Sequence, residues 1–304
     1  MLKRPHTEFV QSQMLPWRRI PPGAARPDAE YKFLSRDPDD GACTCLIRYA
    51  PGWARLADEY LDATEEFYVL EGEIEVNGLV YKADHYGHIP KQALRHSMST
   101  RSGAVVLTFF DAQPEFHAEG SATSAASEAL LHRDVLHMPW DMKVNDAKLA
   151  HLGISRKDLR ADPVSGERTF LSMMLPHSEP PGSHGPRESH PVVEECFVIA
   201  GSLVGPYGEM HAGAYFWRPP GIPHGPFGTR WGCVALIRFV GGRHVNIWTV
   251  DEAPFDFHQP YQPVLPPEYA HLSAIPWVPP QAYGSWIGQL TAPVKASGPG
   301  PRSP

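Results

Sequence analysis

Three side chains in the C-terminal half have the types and spacing of a metal site. His190 and Glu194 stand four residues apart, and on an extended strand such residues face the same side. His224 follows Pro219-Pro220-Gly221, a turn able to send the chain back and aim the ring at the other two. Two imidazoles and one carboxylate leave coordination positions open, a donor set suited to Fe(II), with Zn, Mn and Ni as alternatives. The same groups would also serve as a hydrogen-bonded polar cluster inside an inert barrel. Glu188 has three readings: a further metal ligand, a catalytic base beside the ion, or a solvated loop residue. His184 reads as a loop residue rather than a ligand.

These residues need strands to hold them, and the chain supplies strands twice. Glu65-Glu66-Phe67-Tyr68-Val69-Leu70-Glu71-Gly72 matches Glu194-Glu195-Cys196-Phe197-Val198-Ile199-Ala200-Gly201, and Ser102-Gly103-Ala104-Val105-Val106-Leu107 matches Trp231-Gly232-Cys233-Val234-Ala235-Leu236, both at an offset of 129. One shared offset points to duplication. Within the repeats, Ala42 to Tyr49, Glu66 to Glu71, Glu73 to Asn77, Ala104 to Phe110, Thr169 to Leu175, Glu195 to Ala200, Ala214 to Arg218 and Cys233 to Phe239 read as strands. Gly72 and Gly201 read as tight turns, and Asn77-Gly78 as a hairpin. Leu15-Pro16-Trp17 and Met138-Pro139-Trp140 open the repeats, and Ile275-Pro276-Trp277 suggests an extra edge strand or a coincidence. The expected division is an N-terminal barrel over 1–120, a linker over 121–135, a C-terminal barrel over 136–278 and a Pro/Gly-rich tail over 279–304.

Bulk properties narrow the function. A net charge of −7 gives no electrostatic footprint for nucleic acid. No apolar stretch is long enough to span a membrane, and the first 30 residues do not look like a secretory leader. Four cysteines do not make a disulfide framework, and Cys43 and Cys45 read as packing residues on one strand face. The expectation is a cytoplasmic homodimer acting on a small molecule. Phe170, Met173, Met174, Tyr215, Trp217 and Phe239 read as core or as walls of an apolar pocket. Arg218 and Arg238 read as solvent-facing, or as partners for a substrate carboxylate or enolate.

The second repeat resembles the cupin superfamily. Glu188-x-His190, then Glu194 and Gly201, matches the first cupin motif with Glu188 at the place of its first histidine. Gly213, then Pro219-Pro220-Gly221-Ile222-Pro223-His224, matches the second motif at every fixed position. The paired glutamates and the Pro-Pro-Gly turn are similar to the ChrR-like branch. The resemblance implies an all-β chain of two tandem cupin (double-stranded β-helix, jelly-roll) barrels. It also implies one divalent metal per chain, Fe(II) favoured, on His190, Glu194 and His224 with Glu188 beside them. In the first repeat Leu61 stands where His190 does, Glu59 and Glu65 match Glu188 and Glu194, and the Pro-x-Gly turn is missing before His96. That barrel is expected to be structural, the alternative being a divergent site of Glu65, His96 and Tyr60 or Asp62. By fold analogy the chain is an Fe(II)-dependent dioxygenase cleaving a C–C bond of a small diketone, hydroxyketone or phenolic substrate, apolar or aromatic with oxygen donors. The alternatives are a non-redox metal-dependent isomerase, lyase or hydrolase, and a metal- or ligand-binding regulatory bicupin.

Overall fold

Segments rich in aromatic and β-branched residues form strands in each repeat, as such residues favour a pleated, packed surface. A computed structural model describes residues 3–19, 26–118, 130–143 and 146–275. In the first repeat the central strands are Cys43–Tyr49, Glu65–Val76 and Ala104–Phe110. In the second they are Arg168–Met174, Val193–Gly205, Ala214–Arg218 and Cys233–Val240. Pairing is antiparallel throughout, in two large sheets and two small ones. The chain is all-β, with two tandem cupin-type barrels.

Both faces of the central strands are buried. On the first barrel's strands Cys43, Cys45, Ile47, Phe67 and Val69 fill that barrel's interior. The alternate residues Leu46, Tyr68 and Leu107 face the other way and join Phe197, Tyr215, Trp217 and Leu236 of the second barrel in one shared core. This explains the unbroken apolar runs in the sequence, because a strand with no solvated face shows no alternation. Tyr215 and Trp217 are therefore interbarrel core rather than pocket wall. Cys43 and Cys45 are packing residues, as expected.

Gly72 and Gly201 are not hairpin turns. Each sits inside one long strand, Glu65–Val76 or Val193–Gly205, two residues past Leu70 or Ile199, where the pairing register shifts. Their φ values are 76° and 71°, and a β-carbon there would run into the carbonyl oxygen of Gly103 or Gly232 respectively. Past the glycine the same strand takes a new partner, Leu79–Lys82 in the first barrel and Gly208–His211 in the second, so the chain bends onward and does not reverse. Asn77-Gly78 does make the expected hairpin, with φ of 51° and 80°, joining Glu65–Val76 to Leu79–Lys82.

Strands cross the repeat boundaries. Thr7–Gln11 pairs with Ala214–Arg218 and ends the second barrel's sheet, although it precedes the first repeat. Leu131–Asp134, within the segment expected to be a linker, pairs with His85–Ile89 and ends the first barrel's sheet. Each barrel is completed by the segment that leads into the other repeat. Phe116–Ala118 is also a strand, paired with Glu59–Leu61. Most of the expected linker, the tail beyond 278 and Pro276-Trp277 lie outside the described residues.

Polar side chains tie the two barrels together. The Arg238 guanidinium lies 2.6 Å from Glu195 and 3.0 Å from Glu66. Tyr215 and Thr44 donate to Glu195, and Tyr86 and Thr169 donate to Glu66. The second glutamate of each Glu-Glu pair is thus an interbarrel strut. Arg238 neither faces solvent nor awaits a substrate.

Candidate metal centre

The four predicted residues come together at one end of the second barrel. His190 and Glu194 flank the start of the strand Val193–Gly205, and Glu188 lies on the strand His184–Ser189 rather than in a solvated loop. Glu188 and His224 pair through their backbones, each N–H donating to the other's carbonyl at 2.9 and 2.8 Å. That pairing brings the second motif against the first. Ligand atoms of Glu188, His190 and His224 all lie within 4.8 Å of one another. The Glu194 carboxylate lies 3.3 Å from His224 Nε2 and 3.7 Å from His190 Nε2.

Each imidazole is set as an acceptor toward the cluster. His190 Nδ1 donates to the Val245 carbonyl at 3.1 Å, and His224 Nδ1 donates to the Ile222 carbonyl at 2.8 Å. A neutral ring fixed this way turns an Nε2 lone pair inward. His224 Nε2 is buried without a hydrogen-bond partner. Burial, with Arg218 next in weight, pushes the His224 imidazolium down to about 4, so the ring is neutral at pH 7. Two buried lone pairs facing two carboxylates fit a divalent cation.

The two carboxylates differ in character. Burial, then the charge of Glu194, pushes the Glu188 carboxyl up to about 8. Burial acts in the same direction on Glu194, but Arg218 and the two imidazoles outweigh it and hold that group at about 2. Arg218 is 2.7 Å from Glu194 and also grips Glu8, at 3.0 Å for the Nη2–Oε2 contact. Glu8 belongs to the N-terminal strand Thr7–Gln11, so strand exchange delivers a group that braces the site. Arg218 does not face solvent.

A second layer went unnoticed in the sequence. The His244 ring stacks on Phe239 at 3.8 Å and meets the His190 ring at 4.9 Å. His244 Nε2 donates to Asn246 at 2.6 Å, and Asn246 and Trp248 donate to Asp146. These residues fall outside the 129-residue repeat match, and only the local run of His and Asn after Gly241-Gly242 hinted at them. Phe170, Met174 and Phe239 do line the inner cavity, of about 60 Å³, beside the cluster; Met173 does not. An outer cavity of about 280 Å³ shares Glu188 with it and has His184 in its wall. His184 donates its Nδ1 proton to the Gly182 carbonyl, apart from the ligand cluster.

The first barrel keeps the carboxylates and sets guanidinium groups against them. Arg95 occupies the position of His224 at the offset of 129, and Glu59 pairs with it as Glu188 does with His224. Arg95 is 3.0 Å from Glu65, and Arg26 is 2.6 Å from Glu65 and 3.3 Å from Glu59. Leu61 fills the place of His190. His96 is exposed against Asp58, so Glu65 and His96 are not brought together. Guanidinium groups neutralise the charge that a metal would otherwise balance.

The profile described as the ChrR cupin-like domain matches residues 5–114 and 134–240. Among solved structures, an inferred dioxygenase of Nostoc punctiforme superposes with a TM-score of 0.67 at 17% identity, covering 83% of this chain and 87% of the other. An oxalate decarboxylase superposes with a TM-score of 0.50 at 12% identity, covering 80% and 79%. A deletion mutant of Bacillus subtilis oxalate decarboxylase gives 0.49 at 12%, covering 79% and 78%. No curated protein matches. At these identities the likeness concerns the fold. Among the described residues, no helix is long and apolar enough to cross a membrane.

Proposed function

Because the chain belongs to the ChrR cupin-like domain family, we propose that its second barrel is a mononuclear metal enzyme, an Fe(II)-dependent dioxygenase acting on a small diketone, hydroxyketone or phenolic compound. One observation carries the reading: two buried imidazoles, each with Nδ1 donated to a carbonyl, turn Nε2 toward Glu188 and Glu194. His190, His224 and Glu194 would hold the ion, with Glu188 as a further ligand or a proton acceptor. A ferrous ion on such a donor set supplies open positions for substrate oxygens and redox capacity toward dioxygen.

The chain's own residues do the rest. Phe170, Met174, Ile237 and Phe239 keep the inner cavity apolar and exclude water. Glu188, which would give up its own proton when a cation binds beside it, is then placed to take one from a hydroxyl or enol that enters there. Arg218, braced by Glu8, fixes the Glu194 carboxylate in one orientation. The homodimer expected from the sequence belongs to the same proposal, and light scattering of purified protein checks it.

The deciding experiment is elemental analysis of protein purified without oxygen, followed by oxygen-uptake assays on a diketone, hydroxyketone and phenol panel. The expected result is one iron per chain and oxygen uptake with at least one class. Bound zinc with no uptake would favour the non-redox alternative. A chain that binds no metal at all would end the enzyme reading.

A further inference from the structure

Arg156 lines the same inner cavity as Glu188, His190 and Glu194. It lies on the edge strand Ser155–Ala161, opposite Ser172, which also lines the cavity. Its neighbours on the other strand face behave differently: Lys157 donates to the Val135 carbonyl at 2.7 Å, and Leu159 packs in the interbarrel core. The alternation of the strand therefore turns Arg156 inward.

Among the described residues no hydrogen bond or ion pair occupies the Arg156 guanidinium, and its Nε is buried without a partner. It lies over the face of Phe170, with the guanidinium 4.7 Å from the ring centre. The other arginines nearby are committed. Arg218 holds Glu8 and Glu194, and Arg168 pairs with Asp158. A half-buried guanidinium with a free donor edge is costly unless an anion completes it. Its planar fork fits a carboxylate through two parallel hydrogen bonds.

We infer that Arg156 is a substrate-recognition residue and that the substrate is a small carboxylate, such as a short 2-oxo- or 2-hydroxy-acid. The carboxylate lies on Arg156, and the adjacent oxygen points toward Glu188 and the two imidazoles. The inner cavity of about 60 Å³ has space for only a short apolar remainder beside Phe170 and Phe239. The inference rests on the metal-site reading; it keeps the keto or hydroxy oxygen of that substrate class and adds a carboxylate beside it.

The test is calorimetric binding of pyruvate and its neutral isostere pyruvamide to full-length protein, loaded with Mn(II) and separately treated with chelator. Parent protein should bind pyruvate at least about tenfold tighter than pyruvamide, as expected for a charge-assisted bidentate pair. Arg156→Gln should bring the two within about twofold, and Arg156→Lys should keep part of the preference. Metal content, measured on the same samples, should be unchanged in both variants. Equal binding of acid and amide to the parent would overturn the inference, as would a preference that survives in Arg156→Gln. A parent that binds no Mn(II) would strike the metal-enzyme reading instead. The Arg156 dependence, read on the chelator-treated sample, would then stand or fall separately.

Discussion

His190 and His224 receive their orientation from the backbone: the carbonyls of Val245 and Ile222 hold one ring nitrogen so that the other faces the carboxylates. Removing one of these rings takes away a donor that nothing nearby replaces. His224→Ala should weaken metal binding by at least about 100-fold, more than a lost outer partner would, while the melting transition of metal-free protein stays cooperative. His96→Ala, on the surface of the first barrel, should leave metal content unchanged; mass spectrometry of metal content on both proteins checks the pair. Glu188 brings a proton into the same balance. Its folded-state value of about 8 lies above its ordinary 4.5, so at pH 7 the metal-free site holds a proton that an ion must displace. Calorimetry in buffers of different ionisation enthalpy should show up to about one proton released per ion at pH 7, with affinity rising toward pH 8 and then levelling. The sign for stability follows from the same shift. A group raised in the folded state favours folding most below its unfolded value and loses that contribution as pH climbs through the folded one. Glu188→Gln should therefore raise the melting temperature of metal-free protein at pH 8 relative to the parent, and not at pH 4.

Strands, rather than residues, explain why some of this could be read in advance and some could not. The cluster was legible because both motifs are local: a four-residue spacing, which proves to span the turn between His184–Ser189 and Val193–Gly205 and not a single strand, and a proline-kinked turn ahead of His224. The strand pattern likewise located Cys43–Tyr49, Ala104–Phe110, Arg168–Met174, Ala214–Arg218 and Cys233–Val240 to within a residue, but it split Glu65–Val76 in two and ended Val193–Gly205 five residues early. Gly201 was misread because a glycine in an apolar run looks the same whether the chain reverses or bends onward. Only the approach of Gly232 from the neighbouring strand distinguishes the two. Gly201→Ala should cost at least about 2 kcal/mol, combining left-handed strain with a backbone clash. Gly78→Ala, where nothing lies close, should cost only about 1 kcal/mol; urea titrations of both variants test the difference. Arg95 was legible in principle, since it stands at the offset of His224, but the better-known His96 beside it drew the reading away. Arg156, Arg218 and Glu8 were not legible. Their roles depend on which strands become neighbours, and an arginine in a strand pattern reads equally as solvent-facing.

A shared interior holds the two barrels together. The core formed by Tyr68, Leu107, Phe197, Trp217 and their neighbours spans both barrels, and Arg238 is ion-paired with a glutamate from each. Replacing Arg238 with Met leaves Glu66 and Glu195 without their common cation. Breaking such a buried pair should destabilise the protein by about 3 kcal/mol. Tryptophan fluorescence and circular dichroism should still report one shared unfolding transition, shifted to lower denaturant; two separated transitions would show that the barrels are energetically independent. The reciprocal placement of Thr7–Gln11 and Leu131–Asp134 also governs the order of events during synthesis. The first of these strands is synthesised some two hundred residues ahead of its partner Ala214–Arg218. Until then Glu8 has nothing to brace, and a nascent chain halted between the repeats would hold a nearly finished first half with an idle leading strand.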